Sequence, residues 1–200
     1  MRSDLINAQK QKEDEFITLF DDISSELTHY KSQLKGMKIL CPCDWDESYE
    51  EKTIYLKNKL KKKTKSINCN FAKYLIAQAE NFGIKSITSS GYNPANGKGI
   101  RFQDVDYSKY DMVITNPPFS QFNEFIKILF ENKIKFLVIG PQTGVHYKHV
   151  FPYIMKKKLK LGYAKQLIGF KLRNGKEILS SNKDGGIPRA CKWFTNLKVN

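Results

Sequence analysis

Apolar residues recur at alternating spacings of four and three through Phe16, Phe20, Ile23, Leu27, Tyr30 and Leu34. That period lays one hydrophobic stripe along a helix and predicts helix over residues 4–35. The pattern then shortens. Apolar runs of three to five residues between turn signals predict strands at Met37–Cys41, Ser86–Ser89, Ile100–Phe102, Met112–Thr115 and Phe136–Ile139. Two final strands are expected within Gln166–Leu172 and Cys191–Leu197. Phe71, Tyr74, Leu75, Ala79 and Phe82 mark an amphipathic helix that stops at Gly83. A second helix is expected over 120–131 and a basic one over 150–160. Short apolar strands alternating with helices read as an α/β fold, a mainly parallel sheet covered on both faces.

The 200 residues suit one well-cored domain, residues 1–200, opening with the helical segment 1–35. Residues 47–68 are charged and lysine-rich without apolar periodicity, and are expected to form a mobile or helical surface insertion. The polar start lacks a signal-peptide pattern and no apolar run approaches membrane-spanning length, so a cytoplasmic protein without a membrane partner is expected. Cys41, Cys43, Cys69 and Cys191 match neither a zinc ribbon nor a disulfide framework, so no metal site is expected.

Charge changes this picture. The formal net charge is +14, from 34 Lys and Arg against 20 Asp and Glu, which implies an anionic partner. Two lysine clusters dominate, one around Lys61, Lys62 and Lys63, the other at Lys156, Lys157 and Lys158. Lysine suits phosphate contact more than base reading. Either cluster alone reads equally as a solvated face, and the total charge tilts the balance towards nucleic acid.

Chemistry enters at Asp111–Thr115, a buried-strand pattern that runs directly into Asn116-Pro117-Pro118-Phe119. An amine conjugated to a ring or carbonyl is a poor nucleophile, because its lone pair is delocalised. Two acceptors aimed at its N–H bonds would draw it towards tetrahedral geometry. The Asn116 side-chain carbonyl and the Pro117 main-chain carbonyl can be those acceptors, since proline adds an acceptor and no competing donor. The two prolines fix the loop's φ angles, so the acceptors are set in advance. Phe119 would supply a face for the ring. The simpler alternative is turn punctuation after a strand. Against it, the tetrapeptide follows the strand's carboxyl end, where open parallel sheets bind ligands, and a helix begins at once. His29, His146 and His149 do not form a catalytic set by spacing.

With these residues placed, the chain resembles the EcoRI-type adenine-specific DNA methyltransferases, within the S-adenosylmethionine-dependent amino-methyltransferases. The resemblance rests on Asn116–Phe119 together with Asp14–Thr18, Leu40–Asp44, Tyr110–Thr115, Phe136–Pro141 and Lys192–Leu197, in the family's order. It implies a Rossmann-like methyltransferase fold, a mostly parallel seven-stranded sheet with helices on both faces. It implies methyl transfer to the N6 amine of adenine in DNA, of restriction-modification or mobile-element type. Asn116, Pro117, Pro118 and Phe119 would be the catalytic set. Phe16, Thr18, Cys41, Pro42, Cys43, Asp44, Asp104 and Asn116 would hold S-adenosylmethionine, with Asp106 an alternative to Asp104.

The chain departs from the broader class at three points. Pro42-Cys43-Asp44 stands where a glycine-rich loop is usual, and Ser89-Ser90-Gly91-Tyr92 stands where a ribose-binding carboxylate is usual. Family members also continue past the Trp193–Leu197 segment into a target-recognition region, which this chain is expected to lack. The expected partner is DNA, bound by a monomer, with any restriction endonuclease separate and not physically bound. The competing readings are methylation of RNA or of protein glutamine, and a non-catalytic, truncated nucleic-acid-binding remnant.

Overall fold

The apolar strands form a single seven-stranded sheet in the computed structural model, which describes residues 17–43, 52–56, 69–93, 96–172, 175–182 and 186–199. Phe16, Asp44 and the Lys61–Lys63 cluster lie outside the described residues. The strands in chain order are β1 (Ile17–Thr18), β2 (Lys38–Cys41), β3 (Lys52–Leu56), β4 (Ser86–Ser89), β5 (Tyr92–Asn93) and β6 (Lys98–Gly99). There follow β7 (Met112–Thr115), β8 (Lys135–Pro141), β9 (Lys160–Leu161), β10 (Gly169–Lys171), β11 (Glu177–Leu179) and β12 (Cys191–Thr195). The main sheet has the order β3-β4-β2-β7-β8-β12-β9; β1, β10 and β11 form a small antiparallel sheet, and β5–β6 a hairpin. Four helices matter to the argument: α1 (Phe20–Leu27), α2 (Asn70–Ala77), α3 (Phe122–Glu131) and α4 (Phe151–Met155).

Period-two alternation divides the main sheet into two apolar faces. Ile39, Cys41, Ile87, Met112, Ile114, Leu137, Ile139 and Trp193 pack with Ile23 and Leu27 of α1 and Phe71, Ala72, Tyr74 and Leu75 of α2. Leu40, Val113, Phe136, Val138 and Phe194 pack with Phe122, Phe125, Ile126 and Leu129 of α3. Helices therefore cover both faces, and the central strands are buried on both sides as their near-continuous apolar runs require. Asp111 fixes the register at the strands' amino ends: its carboxylate accepts the Lys38 N–H at 2.8 Å and its own N–H reaches the Lys38 carbonyl at 2.9 Å.

The sheet is mixed where a mostly parallel one was expected. Only β4, β2, β7 and β8 run parallel; β3, β12 and β9 join through antiparallel pairings. β3 lies inside the expected surface insertion. Its Thr53, Ile54 and Tyr55 are residue types that favour extended structure. The expected helix 4–35 is also interrupted. Ile17 and Thr18 pair with Lys171 and Phe170 in the small sheet, so long-range pairing overrides the helical period there.

Ile100–Phe102 is not a strand. Residues 102–104 form a 3₁₀ turn, closed by the Tyr107 hydroxyl donating to the Phe102 carbonyl at 2.8 Å, with the Phe102 ring edge-on to Phe125. These apolar residues serve the core without joining a ladder. The basic helix ends early at Met155, and Lys157 takes a left-handed φ of 56° before β9 begins.

Candidate active site

The site's place follows from strand order. β2 has β4 on one side and β7 on the other, so the chain reverses direction across the sheet there, and the crevice outside the carboxyl ends of β2 and β7 is where such sheets hold ligands. Cys41-Pro42-Cys43 leaves β2 at that edge, Ser90 leaves β4, and Asn116 leaves β7. The Ser90 N–H donates to the Cys41 carbonyl at 3.0 Å, which ties two of the three ends together.

Asn116, Pro118 and Phe119 are half-buried and Pro117 is buried. The Pro118 carbonyl accepts the Gln121 N–H at 3.0 Å, closing the turn that starts α3. The Pro117 carbonyl is thus the main-chain acceptor next to Asn116. The helix that follows the loop is seated on β8 by Phe122, whose ring sits so close that a Cβ at Gly140 would lie 2.2 Å from it. Any larger residue there would force the Phe122 ring to shift.

A third wall comes from the small sheet. Phe119 meets Phe170 edge-on, ring centroids 6.3 Å apart, and Phe170 is the register partner of Thr18. The structure therefore brings Thr18 to the same edge as Asn116–Phe119. The Thr18 carbonyl accepts from the Asn70 side chain at 2.8 Å, which anchors β1 to the start of α2. The Thr18 and Ser90 hydroxyl oxygens are buried, with no hydrogen-bond partner among the described residues. Buried hydroxyls at a ligand-binding edge fit a polar ligand that would complete them.

Cys43 also borders the turns 102–104 and 107–109. Burial pushes the Tyr107 phenol above its ordinary range, and the neighbouring Cys43 adds to the shift. Asp104 and Asp106 lie on these turns, both exposed. Asp106 accepts the Ser108 hydroxyl and N–H, and these bonds, the hydroxyl first, hold its carboxyl below the usual range.

Lys156, Lys157 and Lys158 are not brought to this edge. They precede Lys160, which pairs with Thr195, itself opposite Leu137 near the start of β8, so they lie towards the sheet's amino edge. His29 stacks on Tyr163 at 4.2 Å and the His149 N–H donates to Asn123; neither joins Asn116. A concavity of about 580 Å³ lined by residues including Lys35 and Gly83 also faces away, because those residues precede β2 and β4. Phe170 is the site residue that sequence reasoning missed. Its run, Ile168-Gly169-Phe170, reads as an ordinary strand and nothing local ties it to Phe119.

Among the described residues no helix is long and apolar enough to cross a membrane. No solved structure matches the chain significantly. Curated relatives do. The chain is 29% identical to the Type II methyltransferase M.MpnI of Mycoplasma pneumoniae, over 96% of this chain and 64% of the relative. It is 28% identical to Type II methyltransferase M.EcoRI of Escherichia coli, over 98% and 68%. It is also 28% identical to Type II methyltransferase M.MgeORF184P of Mycoplasma genitalium, over 95% and 63%. The chain thus spans about two thirds of the length of these relatives. The profile of the family described as "Adenine-specific methyltransferase EcoRI" matches residues 4–110 and 105–200, nearly end to end. The chain belongs to the EcoRI adenine-specific methyltransferase family.

Proposed function

We propose that this chain transfers a methyl group from S-adenosylmethionine to the N6 amine of adenine in DNA. The observation that carries this reading is the position of Asn116-Pro117-Pro118-Phe119, leaving β7 at the point where strand order reverses. The names of the relatives support the same chemistry.

When bound, S-adenosylmethionine supplies a methyl group activated by a positively charged sulfur. Thr18, Cys41, Pro42 and Cys43 would hold it from β1 and β2, with the Ser90 hydroxyl and the carboxylate of Asp104 or Asp106 closing the far side. Phe16 and Asp44 remain candidates from the adjoining sequence. Asn116 and Pro117 accept the two N–H bonds of the adenine amine and concentrate its lone pair on nitrogen. That nitrogen would attack the methyl carbon in line, the N–C bond forming as the methyl–sulfur bond breaks and S-adenosylhomocysteine leaves, and the methylated amine would give up one proton to water. Phe119 stacks on the base, which must leave the duplex to reach the crevice at a cost of a few kcal/mol.

The net charge of +14 draws DNA to the protein over a range set by salt. Lys156–Lys158, on the opposite edge, contribute to that field without gripping the flipped nucleotide; Lys61–Lys63 are proposed phosphate contacts from sequence alone. The protein acts as a monomer, in a restriction-modification or mobile-element setting with any endonuclease separate.

The test is to express the 200-residue chain in a methylation-free host and sequence the DNA for methyladenine. Methyladenine at a defined site is expected. Labelled cofactor offered with DNA, RNA and protein separates acceptors, and label in RNA or glutamine alone would overturn the DNA reading. Absence of cofactor binding by calorimetry at millimolar concentration would favour a non-catalytic remnant.

A further inference from the structure

The helix α1 carries two carboxylates one turn apart, Asp22 and Glu26, and both are buried, at 1% and 0% exposure. They face the connection between β9 and β10. The two oxygens of Asp22 accept the N–H groups of Ile168 and Gly169, at 2.7 and 3.1 Å. Glu26 accepts the Tyr163 N–H at 2.9 Å and the Ala164 N–H at 2.7 Å on separate oxygens, with the Tyr30 hydroxyl at 2.8 Å on the first. Four backbone amides of residues 163–169 thus end on two side chains of one helix. The approach is close: a Cβ at Gly162 would lie 2.1 Å from the Glu26 carboxylate.

Buried carboxylates are costly unless their oxygens are engaged, so this arrangement has a definite physical requirement. An amide in place of either carboxylate keeps the size but turns one acceptor into a donor facing an N–H. What the tether holds is specific. The next residue is Phe170, which pairs with Thr18 and meets Phe119 edge-on.

We propose that Asp22 and Glu26 are positioning residues for the amine site, fixing residues 163–169 by their backbone so that Phe170 backs Phe119. This inference rests on the function proposed above. The tether sets the ring against which the base-stacking Phe119 is braced, and leaves the Cys41–Cys43 side of the crevice untouched. Misplacement of a positioned group costs rate more than cofactor affinity.

The experiment compares the full chain with D22N and E26Q at a temperature where each is folded by circular dichroism. Expected are a fall in kcat of about tenfold or more, a loss of cofactor affinity by calorimetry of no more than about fivefold, the share carried by Thr18 opposite Phe170, and a weakened ring-to-ring nuclear Overhauser effect between Phe119 and Phe170. Amide exchange should rise at 163, 164, 168 and 169 while that of β2 and β7 is unchanged. E26D, which keeps both oxygens on a shorter stem, should recover part of the loss and serves if E26Q does not fold.

Lower thermal stability with wild-type kcat, ring contact and exchange would overturn the proposal, since that is the result of a merely structural role. If the unvaried chain proves inactive, the function proposed above fails separately. The ring contact and amide exchange then decide the tether: loss in the variants supports it, wild-type values overturn it.

Discussion

The main sheet and the small sheet meet at Phe119 and Phe170, yet they are built by different rules. β2, β4, β7 and β8 are continuous apolar segments whose neighbours are set by short parallel pairings and two apolar faces. β1 and β10 are two and three residues long, lie about 150 residues apart in the chain and pair directly, with the approach to β10 held by the Asp22 carboxylate on α1. The first region takes its strength from burial on both faces. The second depends on a few directed hydrogen bonds. The proposed chemistry falls on the seam, with the proposed amine acceptors on the rigid side and the proposed ring brace on the tethered side.

The largest expected effect strikes the rigid side. Asn116→Ala should lower methyl transfer by about 10²–10³-fold, the range for removing one preorganised group from a developing charge. Folding should remain near wild type, because Asn116 ends a strand that packing already holds, and any loss of cofactor affinity should be far smaller than the loss of transfer. Turnover close to wild type, measured by labelled methyl incorporation into DNA, would refute the acceptor role. Next comes Gly140→Ala, which drives a methyl into the Phe122 ring. Overpacking of this kind costs about 1–3 kcal/mol, read from the urea midpoint at constant slope. Since Phe122 follows the Asn116–Gln121 turn directly, activity should fall alongside stability, whereas a purely local clash would leave activity per folded molecule unchanged.

The same contrast explains what the sequence made legible. The central strands and the helical run 71–82, which the structure breaks at Gln78 into Asn70–Ala77 and Ala79–Phe82, were readable because burial writes its period locally; Gly83 takes the left-handed φ of 65° at its stop. Asn116–Phe119 was readable because strand, turn and helix follow one another without a spacer. The small sheet was not. Phe16 sat on a helical stripe with Thr18 inside the same expected helix, and only a partner about 150 residues away makes Ile17–Thr18 a strand. Asp22 and Glu26 carried no signal in the sequence, since nothing local separates a carboxylate that meets water from one that meets two backbone amides. β3 was hidden by its charged surroundings, and the turns 102–109 by residues that are apolar for the core's sake.

The smallest effect, on the tethered side, is also the most discriminating. Thr18 has 2% exposure and a hydroxyl without a hydrogen-bond partner among the described residues. An unsatisfied buried hydroxyl costs about 1–3 kcal/mol, so Thr18→Val, of the same shape, should be as stable as wild type or more so without cofactor. Its backbone pairing with Phe170 and its carbonyl bond to Asn70 do not depend on the hydroxyl. If the hydroxyl is kept for the cofactor, affinity should fall by about fivefold, the loss of roughly one hydrogen bond's net worth. The cofactor-induced rise in melting temperature should shrink accordingly. A variant that gains stability and loses affinity places the binding function on the small sheet itself. One that gains stability and binds cofactor normally would confine that sheet to bracing Phe119, and leave cofactor recognition to the carboxyl ends of β2 and β4.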